Sequence, residues 1–292
     1  MANNITKFKK YIDELDEVYK ESSKSAILDS DPSLARQGAN ANEIVIPKIS
    51  LDGLADYSRN SGYVSGDVTL TNETVTFNYD RGRKFQVDAM DNEETAGVAF
   101  GKLSSEFIRT KTVPEMDAFT FATLAGITGI STVAGAALSA GSDVIAALRA
   151  ATSKMDEDEV PMDDRYLFIT PTLYGLVQDL DTTKSREVMS RFNSTTLVPQ
   201  TRFYTAIDLK DGKTSGEEAG GYVKDGTSGK NINFMVISKS AVMKYPKHTV
   251  DKIIPPEDNH NADAWIFNFR AYGLVDAYEN KVAGIYLHKS TT

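Results

Sequence analysis

Residues 73–128 read ETVTFNYDRGRKFQVDAMDNEETAGVAFGKLSSEFIRTKTVPEMDAFTFATLAGIT, and a change of period inside them decides the fold. Val75, Phe77 and Tyr79 alternate with Thr74, Thr76, Asn78 and Asp80, which is the period of a half-buried strand. After Asp91 the period becomes helical: Ala96, Phe100, Leu103 and Phe107 form one stripe, with Lys102, Glu106 and Arg109 off it. Thr112, Pro114 and Glu115 predict a restart, because Thr-x-x-Glu is a capping box and proline suits a first helical turn. Met116, Phe119 and Thr123 carry the stripe onward. A strand passed through a basic turn into a long, kinked helix is a spine, not an active-site loop.

Working outward, the chain has 292 residues, 41% of them hydrophobic, enough for one large domain or two ordinary ones. It contains no cysteine, which excludes disulfides and thiolate metal sites and fits a reducing cytoplasm. No run approaches the roughly 20 apolar residues of a membrane span, and no signal-peptide core follows Lys7, Lys9 and Lys10. A net charge of -9 argues against a dedicated nucleic-acid binder, because phosphate contact relies on Lys and Arg.

Before the spine, Ile5, Phe8, Ile12, Leu15 and Tyr19 predict an amphipathic helix over residues 4–22, followed by a polar arm to residue 42. Glu43–Leu51 is strand-like but holds Pro47, which suits an edge. The turn-rich YSRNSGYVSG of residues 57–66 leads into residues 67–70 and 74–79. Together they predict a long two-stranded excursion that needs a surface to lie against.

After the spine, the small residues 126–142 mark a boundary, and Ser142 and Asp143 start a helix with Val144, Leu148, Ala151 and Met155 on one face. The acidic run at 156–159 reads as a solvated loop. RYLFIT at 165–170 is a buried strand, and Thr170 with Pro171 opens a helix through Leu180. Residues 208–231 read as an exposed insertion and 233–238 as another buried strand. Residues 251–254, 265–277 and 282–287 are spaced as an antiparallel set.

Chemistry finds little support. His248, His260 and His288 lie in different elements, and Glu257, Asp258, His260 and Asp263 form the only acidic cluster with a histidine. That cluster supports a metal-dependent hydrolase, but PPEDNHNADA has turn composition. GTSGKN at 226–231 lacks the phosphate-loop spacing, and no Gly-x-Ser-x-Gly elbow exists. Asp88, Asp91, Glu93 and Glu94 suit a helix start, where the macrodipole favours negative charge. Between copies of the chain, these acids and the basic Arg81, Arg83 and Lys84 would be complementary and would set register. Surface pairs contribute about 0 to 1 kcal/mol each, so they specify geometry more than they drive association.

The order of these parts resembles the major capsid proteins of tailed bacteriophages, whose α+β fold is named after phage Hong Kong 97. The parts are an N-terminal arm, the EIVIPKISLDGLADYSRNSGYVSGDVTLTNETVTFNYDRGRKFQVDAMD loop, the spine helix with its VPEMDAF restart, a central α/β region and a returning C-terminal sheet. The resemblance implies an arm at 1–42, an extended loop at 43–91, a peripheral domain from 92–134 and 251–292, and an axial domain at 135–250. It implies a non-enzymatic shell subunit, assembled in the host cytoplasm as pentamers and hexamers around double-stranded DNA in a virion. A separate scaffolding protein and a portal are the implied partners, and no cofactor or membrane is. An encapsulin-type nanocompartment subunit is the alternative within the same fold.

Overall fold

The computed structural model describes residues 23–30, 36–37, 43–90, 98–133, 135–180 and 182–291. The predicted helix at 4–22, most of the arm, Ala96 and three of the acids, Asp91, Glu93 and Glu94, lie outside the described residues.

A mixed five-stranded sheet carries the largest core. Its order is β5 (Ser131–Val133), β13 (Ile285–Lys289), β10 (Ile232–Ser238), β6 (Arg165–Ile169) and β7 (Ser194–Leu197). The pairs β5–β13 and β6–β7 are parallel and the others antiparallel. Its two central strands read as continuous apolar runs because both faces are covered. Phe168, Met235 and Ile237 meet Phe121 and Leu124 on one side; Leu167, Ile169, Phe234 and Val236 meet Leu148, Met155 and Val177 on the other. The second cover is α3 (Gly141–Glu157) with α4 (Pro171–Leu180) and α5 (Thr183–Met189). The four residues expected on one face of α3 are all fully buried.

The spine is continuous: α1 (Val98–Phe107), a π-helical turn (Ile108–Thr112) and α2 (Val113–Gly126). The expected capping box does not form, since Thr112 is itself helical (φ -68, ψ -51) and its side chain caps nothing. Pro114 cannot donate to the carbonyl four residues back and its ring crowds that carbonyl. A local widening to π geometry absorbs the mismatch without ending the helix. Glu115, freed from capping, turns to β4.

The second sheet is β11 (Val242–Ile254), β12 (Ala264–Ala277) and β4 (Tyr79–Asp88), antiparallel throughout. Phe267, Phe269 and Tyr79 pack on Ile108, Val113 and Met116 of the spine. Two expectations change here. The basic residues 81–84 form the middle of β4, not a turn, because residues 79–88 pair continuously with 264–273. The stretch at 282–287 leaves the antiparallel set: its strand, β13, pairs with β10 and β5 instead.

The third sheet joins β2 (Glu43–Leu51) to β3 (Val68–Thr76) as a hairpin, with β1 (Arg36–Gln37) touching only Ile44 and Val45. Among the described residues no strand pairs with Pro47 on the side away from β3, and its missing N–H suits such an edge. The fourth is a small hairpin, β8 (Ile207–Leu209) with β9 (Tyr222–Lys224). Residues 208–231 are thus exposed or half-buried throughout, as expected, and the β8–β9 pairing folds them. The acidic run is also more than solvated: Asp156 pairs with Arg191 and with Arg165, which is only 1% exposed. Burial works to raise the Asp156 pKa, but the two guanidinium groups hold it below its usual range.

Candidate functional site

Among the described residues, the β2–β3 hairpin carries a large exposed apolar surface. Its ladder pairs Glu43 with Thr76 through to Leu51 with Val68 without a bulge, so opposite residues share a face. One face carries Ile44 and Val75, then Ile46 and Glu73, then Lys48, Thr71, Ser50 and Thr69. It is apolar only at the base, where Ile44 and Val75 are buried against Met243, Tyr245 and Leu274. The other face begins with Glu43 and Thr76 and ends with the pairs Ile49–Leu70 and Leu51–Val68.

The apolar side of the ribbon therefore changes over at the Pro47–Asn72 pair. The surface that covers the base cannot also cover the distal patch, because the two lie on opposite faces of one ribbon. Ile49, Leu51, Val68 and Leu70 are all exposed, and beyond them Leu54 is 108% and Tyr63 90% exposed. The tip is nonetheless shaped. Asp67 N–H donates to Asp52 Oδ2 at 2.8 Å, Tyr57 and Tyr63 rings lie 4.9 Å apart, and Ser58 Oγ accepts from the Asn60 and Ser61 amides.

The hairpin is fixed at its root. Lys48 Nζ pairs with Glu279, Phe77 stacks on Tyr272 at 5.0 Å, and Lys247 Nζ sits 4.6 Å above the Phe77 ring. Burial and then the nearby Glu279 carboxylate raise the Glu73 pKa.

The basic residues of β4 split into two environments. Arg81 Nε donates to Glu115 Oε1 at 2.7 Å, its Nη2 to the Gly221 carbonyl, and Tyr79 Oη adds a bond to the same carboxylate. Burial opposes the Arg81 charge, but Glu115 outweighs it and holds the guanidinium above its usual value. Arg83 and Lys84 are exposed, and Arg83 Nη2 donates to the Glu218 carbonyl at 2.9 Å. Gly212 lies beside it at φ +72, a backbone conformation that favours glycine. Asp88 Oδ1 accepts from the Met90 amide at 2.9 Å, in keeping with an acid at a helix start.

One buried node had no signal in the sequence beyond an acid inside an apolar helix. Asp117 is 0% exposed on α2. Its carboxylate accepts from the Ser23 and Ser25 hydroxyls, the Lys24 and Ser25 amides, and Arg202 Nη1 at 3.1 Å. Lys244, itself buried, donates to Ser25 and pairs with Asp29 at 2.7 Å. These bonds clamp residues 23–30 onto the spine and β11.

Asp258, His260 and Asp263 are exposed around a short turn after β11. Among the described residues no group of three or more His, Asp or Glu side chains is arranged to hold a metal ion. None of the described helices is long and apolar enough to cross a membrane.

No family model matches the sequence, and no curated protein is similar to it. Solved structures are. A chain from Mycobacterium phage Che8 matches with a TM-score of 0.57 at 12% identity, covering 85% of this chain and 85% of that one. The capsid structure of Staphylococcus phage Andhra gives 0.55 at 9% identity over 89% and 84%. A virus-like particle from Pyrococcus furiosus gives 0.58 at 9% identity over 96% and 98%. At these identities the likeness is one of fold, and the chain carries the Hong Kong 97-like fold of phage capsid proteins.

Proposed function

We propose that this chain is the major capsid protein of a tailed phage, a non-enzymatic shell subunit assembling as pentamers and hexamers around double-stranded DNA. The observation that carries the reading is the reversal of the hairpin's apolar face at Pro47. Among the described residues it leaves Ile49, Leu51, Val68 and Leu70 with no surface to cover them. Burying one such side chain stabilises by about 1.5–3 kcal/mol, so a ring of copies that each cover a neighbour's hairpin gains far more than surface ion pairs supply. The division into arm (1–42), extended loop (43–91), peripheral domain (92–134 and 251–292) and axial domain (135–250) belongs to this proposal. So do a separate scaffolding protein and a portal as partners, and virion assembly in the host cytoplasm. A net charge of -9 suits a container that must not grip packaged DNA.

Arg83 and Lys84, with Asp88 and the acids Asp91, Glu93 and Glu94, are the proposed register-setting contacts between copies. Arg81 differs from them, because its charge is used inside the subunit by Glu115. Arg83→Glu with Lys84→Glu therefore tests assembly cleanly, whereas Arg81→Glu would set two carboxylates together and unfold the site it probes.

The second reading, an encapsulin-type compartment, is favoured by the near full-length match to the Pyrococcus furiosus particle. Electron microscopy of the overexpressed protein, alone and with its scaffold, tests the shared shell reading. Nuclease-protected DNA inside particles from infected cells supports the phage head, and a protein cargo in its place supports the compartment. Small, non-capsomeric species under every condition would remove both.

A further inference from the structure

The charges at the root of the β2–β3 hairpin do not balance, and they sit where the hairpin meets the body. On the face turned to the body, the Ile44–Val75 rung is apolar and buried against β11 and β12, the Ile46–Glu73 rung is mixed, and the Lys48–Thr71 rung carries a cation. Glu73 is the only charged residue of β3 and is half-buried. It lies diagonal to Lys48, and diagonal neighbours on one face of a ribbon stand roughly 7–8 Å apart. Lys48 Nζ is already engaged, 2.5 Å from Glu279 Oε2. The charged groups that face Glu73 are Lys48 from β2, Asp276 from β12 and Glu279 from the turn after β12. Glu43 lies on the opposite face of the ribbon, and Lys247 of β11 sits over the Phe77 ring. Three carboxylates thus share one ammonium.

The joint between hairpin and body is short. β3 ends at Thr76 and β4 begins at Tyr79, so only Phe77 and Asn78 lie between them. Asn78 belongs to the body: its Nδ2 donates to the Val275 carbonyl at 2.7 Å, and the Val275 amide donates to its Oδ1 at 3.1 Å. The body side of the joint is therefore fixed by β12, and the hairpin side is held by the Ile44–Val75 rung and the ionic cluster. Burial, then Glu279 and Asp276 against the opposing Lys48, raise the Glu73 pKa. Glu73 binds its proton more tightly in the seated hairpin than in a released one, so the seat strengthens as pH falls through the seated value.

We propose that this cluster makes the seating of the hairpin pH-dependent: ionised Glu73 is repelled by Glu279 and Asp276 and loosens the root, and protonated Glu73 lets the root close on β11 and β12. The inference concerns the dissociated subunit and does not depend on shell formation. Within the shell reading, the same group sets how firmly the outward patch is held toward a neighbour. Amide hydrogen exchange of residues 44–46 and 73–76, corrected for the intrinsic chemical rate, is followed in the full chain from about pH 7.5 to about pH 4.5. The expected result is severalfold slower exchange at the acid end, and in Glu73→Gln the acid-end protection at both ends. A carboxyl NMR titration supplies a second measurement. The Glu73 midpoint should lie above the ordinary glutamate range, and Glu279→Gln should lower it by removing a repelling charge and releasing Lys48. Protection that is unchanged or weaker in acid, a pH dependence that survives in Glu73→Gln, or a Glu73 midpoint that Glu279→Gln leaves in place would each overturn the proposal.

Discussion

The five-stranded sheet and the β2–β3 hairpin are built from the same aliphatic vocabulary and stand in opposite situations. Phe168, Ile169, Val236 and Ile237 are fully buried because helices lie on both faces of their sheet. Ile49, Leu51, Val68 and Leu70 are exposed because their ribbon turns its apolar face away from the body. The first region completes itself within one chain and sets the stability of the subunit. The second has no such cover among the described residues, and in the proposed reading a neighbouring copy supplies it.

The sharpest way to break this contrast is to truncate one residue of each kind. Phe121 packs edge-on against Phe168 and Phe203, so Phe121→Ala should cost about 3–5 kcal/mol in urea unfolding. Leu54→Ala, at the exposed tip, should stay within about 0.5 kcal/mol. Similar costs for the two would mean that the hairpin folds back on its own subunit.

A smaller effect is expected at the clamp. Asp117→Ala strands Arg202 and the amides of Lys24 and Ser25, and should cost about 3 kcal/mol, the lower range for breaking a buried pair. Proteolysis after Lys24 should accelerate with it. Loss of stability without new cleavage there would separate the node from the arm.

Smaller still is Thr112→Val, which keeps the shape and removes the hydroxyl. A working N-cap would cost about 1 kcal/mol; the continuous spine predicts less than about 0.5. The smallest effect is local. Asp211 accepts from the Lys213 and Thr214 amides and the Thr214 hydroxyl, which lower its pKa to about 2. Its folded value lies below its unfolded one, so its support of the turn is complete above about pH 4 and fades as pH falls through 2. An NMR titration of Asp211 should show that midpoint, and an ordinary carboxylate value would mean the turn is open.

Much of this was legible in the sequence, and the physical reason is periodicity. The buried face of α3, the strands at 165–169 and 232–238 and the two-stranded excursion all announce themselves through local spacing. Partners do not. Arg81, Arg83 and Lys84 read as a turn because charge is frequent in turns, yet β12 recruits them into a strand from some 190 residues away. The strand at 285–289 showed its own period but not that β10, rather than β12, would take it. The Thr-Val-Pro-Glu signature was a sound cap locally, but Thr112 lies inside a continuous helix, and Glu115 pairs with Arg81 instead. The strand character of Glu43–Leu51 was legible; that Ile49 and Leu51 share the outward face required the register with β3 and the base packed on β11.

The most direct test compares the wild-type chain with Leu51→Glu combined with Leu70→Glu, by sedimentation and electron microscopy, with and without scaffold. The predicted result is shells from the wild type, and from the variant only dissociated subunits with an unchanged melting midpoint. Shells from the variant as abundant as those from the wild type would contradict the account.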